Sequence, residues 1–134
     1  MKIEYTKEEI YSLTGDNLLF AGAPKDFVDL SEVFYKLMRG YPNDIHLNLV
    51  VPNITPQNVR IILKYTPKGR SFATIQSQDK ILFELDAMIW ARLFTLSIVL
   101  SREGGDFYLI SGEDELSDYD LEQDCNVIWT TSIL

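Results

Sequence analysis

The chain has 134 residues, 46% hydrophobic and 24% charged, with a formal net charge of −8. These are the proportions of an ordinary globular domain and exclude a largely disordered chain; the acidic balance argues against nucleic-acid binding and anionic-lipid docking, which both need a basic face. A single cysteine and a single histidine exclude an internal disulfide framework and leave little material for a transition-metal site.

The length fits one domain over 1–134, large enough to bury a real core. The opening stretch has no apolar core of a signal peptide, so a cytoplasmic location is expected, in keeping with the sparse cysteine. Lys2–Thr6 alternates in strand fashion, with Ile3 and Tyr5 on one side. A turn signal follows at Thr14–Asn17, and Leu18–Gly22 reads as a short buried strand. From Pro24 onward, Phe27, Leu30, Phe34 and Leu37 recur at spacings of three and four, which predicts an amphipathic helix. Pro24 suits its first turn, bases gather late, and Gly40 suits its end.

Asp44–Val51 and Val59–Tyr65 are expected as strands, joined by a turn containing two prolines. A hairpin across Gln78–Asp79 is expected to join the next two strands. Asp86 is a candidate cap for a second helix running to about Arg102, where two glycines end it. Ala87–Leu100 is apolar nearly all round but is shorter than the roughly 20 residues of a membrane span and carries Arg92. It reads as a helix buried between the sheet and the first helix; the alternative is that Trp90 and Phe94, four apart, form an oligomer interface. Asp106–Ser111 and the stretch from Asn126 complete the strands.

The two halves repeat one order. Leu18–Phe20 matches Ile81–Phe83 at an offset of 63, Asp44–Leu47 matches Asp106–Leu109 at 62, and Asn58–Val59 matches Asn126–Val127 at 68. The fold expected is α+β: tandem β-β-α-β-β units over about 1–66 and 70–134, forming antiparallel sheet with two helices packed on one face. The rise in offset places an insertion of six residues before the last strand.

That insertion is acidic. Glu113–Asp124 holds seven of the 20 acids and no base, leaving 13 acids against 12 bases elsewhere. Nearly all the net charge therefore sits in one segment. Asp118, Asp120, Glu122 and Asp124 alternate as in a calcium loop, but Gln123 stands where that loop needs glycine and Trp129 where it needs a bidentate Glu. Two readings stay open: a solvated hairpin loop, and a contact surface for a basic protein. The second assigns partner-binding roles to Glu113, Asp114, Glu115, Asp118, Asp120, Glu122 and Asp124, with Tyr119 and Leu121 as apolar anchors.

His46 falls opposite the apolar set of its strand and reads as a surface residue, and no local feature activates Cys125. Glu8 with Glu9, and Glu84 with Asp86, are loose carboxylate pairs that nothing in the sequence sets across a cleft. No zinc spacing, phosphate loop, dinucleotide fingerprint or nucleophile triad is present, so no catalytic residue, metal or cofactor is assigned.

The stretch from Leu18 to Leu49, followed by Asn58–Tyr65, resembles the core of small bacterial immunity proteins of the polymorphic-toxin type. The likeness rests on element order and hydrophobic pattern over about a third of the chain. It implies a small, acidic, cytoplasmic α+β protein that occludes a cationic toxin domain. A homodimeric structural module and an enzyme with a scattered site are the readings from other classes.

Overall fold

The structure is a computed structural model and describes residues 1–10, 12–51, 59–110 and 119–132. The alternation at the start forms β1 (Lys2–Thr6), with Ile3 fully buried and Lys2 exposed. β2 (Asn17–Ala21) buries four consecutive residues, as a strand packed on both faces must. α1 (Pro24–Met38) begins with Pro24, and the Asp26 carboxylate accepts from the Ala23 N–H at 2.8 Å, holding the first turn. It buries Phe27, Leu30, Val33, Phe34 and Leu37 and ends before Gly40, whose φ of +83° favours glycine.

The stretch expected as one strand over Asp44–Val51 divides in two. β3 (Ile45–His46) is brief, and a single turn of helix, α2 (Leu47–Val50), replaces the rest. Asn48 explains the break: its amide donates to the Val59 carbonyl and its oxygen accepts from the Ile61 N–H, both at 3.0 Å. One side chain thus meets backbone groups that a continued ladder would have paired. The proline turn after Val51 lies outside the described residues.

β4 (Arg60–Tyr65) follows, then β5 (Arg70–Ser77) and β6 (Lys80–Leu85), joined across Gln78–Asp79. A side chain at Gly69 would meet the Glu84 carbonyl oxygen at 2.5 Å, so only glycine fits the approach to β5. α3 (Ala87–Glu103) is capped by Asp86, one oxygen accepting from the Ile89 N–H at 3.0 Å and the other pairing with Arg70 at 2.5 Å. It buries Ile89, Trp90, Leu93, Leu96 and Leu100 and keeps one solvent stripe through Met88, Arg92, Thr95 and Arg102. β7 (Asp106–Leu109), β8 (Glu122–Gln123) and β9 (Asn126–Thr130) complete the chain's described elements.

The architecture is mixed α/β, with two sheets and three helices among the described residues. The first sheet runs β1-β2-β9-β7 and the second β3-β4-β6-β5-β8. Neither is purely antiparallel, which corrects the antiparallel sheet expected from the sequence. β2 lies parallel to β9 and β4 parallel to β6, between antiparallel outer pairs; β8 adds a further parallel contact. The parallel contacts arise because each sheet joins strand pairs from opposite halves of the chain. β1–β2 meets β7–β9, and β3–β4 meets β5–β6.

α1 and α3 pack on each other, and their aromatic residues tie the layers together. Phe34 on α1 stacks on Trp129 of β9 at 5.7 Å and lies 5.5 Å from Trp90 of α3. Trp129 meets Phe20 of β2 edge-on at 6.1 Å, and the Trp90 indole donates to the Lys64 carbonyl on β4. This cluster connects both long helices to both sheets.

Candidate interaction surfaces

The described part of the acidic segment begins at Tyr119 and is held by specific bonds. Asp120 has a φ of +54°, a left-handed turn that Asp tolerates. Glu122 and Gln123 then pair with Ser71 and Phe72 of β5. The Gln123 amide donates to the carbonyls of Leu109 and Cys125 at 2.8 and 2.9 Å. The Asp124 carboxylate accepts from the Ile75 N–H at 2.7 Å.

Exposure alternates along this stretch. Asp120, Glu122 and Asp124 are exposed, whereas Tyr119 and Leu121 are partly buried and pack against the core. The two apolar residues singled out as anchors therefore support the strand from beneath. Glu113, Asp114, Glu115 and Asp118 lie outside the described residues.

Behind this strand, Cys125 is fully buried. Burial first, then the charges of Asp16 and Asp124, push its thiol up to about 12. A thiol so held is protonated at neutral pH and unsuited to nucleophilic attack. Tyr5 is also pushed up to about 12, by burial first and then by the hydrogen-bonded Asp16. A cavity of about 400 Å³ opens beside Tyr5, which lines it with Lys7, Asp16, Ile75 and Gln78. Among the described residues, no group of three or more His, Cys, Asp or Glu side chains could hold a metal ion.

The remaining candidates are dispersed. His46 is exposed on β3. Asp86 is engaged in its cap and with Arg70, and Glu84 lies 3.4 Å from the Thr66 hydroxyl. Trp90 is fully enclosed, so this ring offers no surface to a second copy. Phe94 is half-buried, its ring 5.8 Å from that of Tyr35.

A second surface escaped the sequence reading. A groove of about 430 Å³ lies at the end of α1, lined by Tyr35, Lys36, Arg39, Gly40, Tyr41 and Pro42. The Arg39 guanidinium lies 6.0 Å from the centroid of the Tyr35 ring. A smaller cleft lined by Val33, Lys36, Tyr41, Ile45 and Val50 adjoins it through the shared Lys36 and Tyr41. The available signal was Tyr35, an aromatic residue off the apolar stripe and four residues before Arg39.

Among the described residues no helix is long and apolar enough to cross a membrane. Comparison of the chain with protein-family models, with curated proteins and with solved structures finds no match.

Proposed function

We propose that the chain is a non-enzymatic cytoplasmic protein-binding module, most concretely an immunity protein that neutralises a cationic toxin domain by occlusion. One observation carries this reading: the acidic strand is fixed to the fold with Asp120, Glu122 and Asp124 turned to solvent over Tyr119 and Leu121. A rigid row of carboxylates attracts a basic surface over long range and loses little side-chain freedom on contact. An unattached acidic loop would give solubility without such fixed geometry.

The test is co-expression with the product of the neighbouring gene, followed by capture and association kinetics at two salt concentrations. Wild type is expected to relieve toxicity and bind with a rate that falls as salt rises. Asp118→Asn, Asp120→Asn, Glu122→Gln and Asp124→Asn together should slow association about tenfold or more. Equal rates for wild type and variant would remove the acidic strand from the interface.

The tandem organisation belongs to the same reading. Exchanging the halves about 1–66 and 70–134 turns β1-β2-β9-β7 into β5-β6-β4-β3, the order of the second sheet without β8. Matching the registers pairs Ile61, opposite Ile81, with Val127, opposite Leu18. That offset of 66 replaces 68, moves the alignment by two residues on the same strand face, and leaves four extra residues before β9 instead of six.

A further inference from the structure

The groove at the end of α1 differs from the rest of this acidic protein. It is lined by two cations and two tyrosines and by no carboxylate. Four ion pairs form between side chains elsewhere, yet neither Lys36 nor Arg39 takes part in one among the described residues. Around them the fold leaves large apolar side chains in water: Tyr35 is 46% exposed and Tyr41 37%, and Val50 of the adjoining cleft is 51% exposed. Tyrosine and arginine beside exposed aliphatic residues are the composition of binding hot spots, and they are grouped here on one short stretch of chain.

We infer that this groove is a contact surface for a second copy of the chain, which presents the carboxylates of Asp120 and Glu122 to Lys36 and Arg39. The charge distribution favours this occupant. The acidic segment of one copy repels that of another, whereas the groove offers it two cations that form no ion pair among the described residues. Position agrees as well: Asp120 and Glu122 are both exposed and two residues apart, and Lys36 and Arg39 lie three apart at the end of α1 and line one groove. Asp124 is already engaged by the Ile75 N–H, which leaves Asp120 and Glu122 as the contacting pair. The exposed Tyr35, Tyr41 and Val50 add apolar area that charge pairing alone lacks.

The contact rests on reading the acidic strand as an interaction surface, and it sets self-association in competition with a basic partner for the same carboxylates. Sedimentation velocity on the purified protein alone, over a dilution series at low and high salt, tests it. Wild type is expected to associate as concentration rises and to dissociate in high salt. Lys36→Glu with Arg39→Glu should weaken association about tenfold or more, and so should Asp120→Asn with Glu122→Lys. Asn is chosen at position 120 because it tolerates the left-handed backbone there. An equimolar mixture of the two double variants should associate again, since one opposite-charge contact is restored. Circular dichroism confirms that each variant is folded. A wild type that stays monomeric throughout, variants that associate like wild type, or a mixture that stays monomeric each overturns the inference. Capture of a basic partner separates this from the proposed function, because Lys36→Glu with Arg39→Glu should leave that capture intact.

Discussion

Cys125 shows how one residue links packing to solution behaviour. Its thiol is buried beside Asp16 and Asp124, and its pKa rises from an ordinary 9.0 to about 12. An acid raised in the folded state keeps its proton there after the unfolded chain has lost it. The stability it contributes is therefore fully present below pH 9 and is lost progressively as pH climbs from 9 toward 12. Tyr5, raised from 10.0 to about 12, adds to the same alkaline decline. Urea unfolding on either side of pH 9 is expected to show a falling midpoint, and Cys125→Ala should flatten that slope while lowering stability at neutral pH. A wild-type midpoint that is constant through this window would mean that the thiol titrates normally. Asn17 makes the same point about buried polar groups. It is fully buried, and its amide lies within 3.1 to 3.3 Å of the carbonyls of Glu8, Leu13 and Gly15, while its oxygen accepts from Asn126. A residue that reads as part of a turn signal thus organises the loop before β2.

At the scale of elements, β8 separates holding from displaying. Asp124 fixes the strand to β5, whereas the side chains of Asp120 and Glu122 stand in solvent. Asp124→Ala should lower stability by about 1 kcal/mol, because the Ile75 N–H loses its acceptor. Asp120→Asn with Glu122→Gln should change it by less than about 0.5 kcal/mol. Chemical denaturation of the two variants distinguishes them, and equal losses would mean that the outward carboxylates also support the fold. α1 was legible because Phe27, Leu30, Phe34 and Leu37 lie on one stripe that nothing in the tertiary structure contradicts. The Asp86 cap and the hairpin at Gln78–Asp79 were legible for the same local reason. α2 was not, because the strand pattern of its sequence is overruled by Asn48 bonding across to Val59 and Ile61. The acidic surface was visible in composition. The groove was not, since it forms only where the chain after Gly40 folds back beside Tyr35 and Arg39.

For the molecule as a whole, the decisive property is that neither half owns a sheet. The strand pairs could be read from local alternation, but the way they combine could not, because β2 meets β9 and β4 meets β6 through packing between distant segments. Separately expressed fragments divided at Lys68–Gly69 should each lack cooperative unfolding, since each leaves two inner strand edges unpaired. Mixed together, they should recover a cooperative transition and the buried tryptophan fluorescence of the intact chain. A fragment that folds cooperatively on its own would show that the exchange of strand pairs is dispensable.

The parallel pairing of β2 with β9 also bears on synthesis. Asn17 and Asn126 are 109 residues apart in the chain and hydrogen-bonded in the fold. At translation rates of about 5–20 residues per second, the ribosome delivers the second partner roughly 5–20 s after the first. For that interval the apolar edge of Leu18–Phe20 is without its native neighbour, although β1 can already cover the other side. The nascent chain thus carries an open, sticky strand through most of its translation, and chaperone demand should fall on this early hairpin before any other part of the protein.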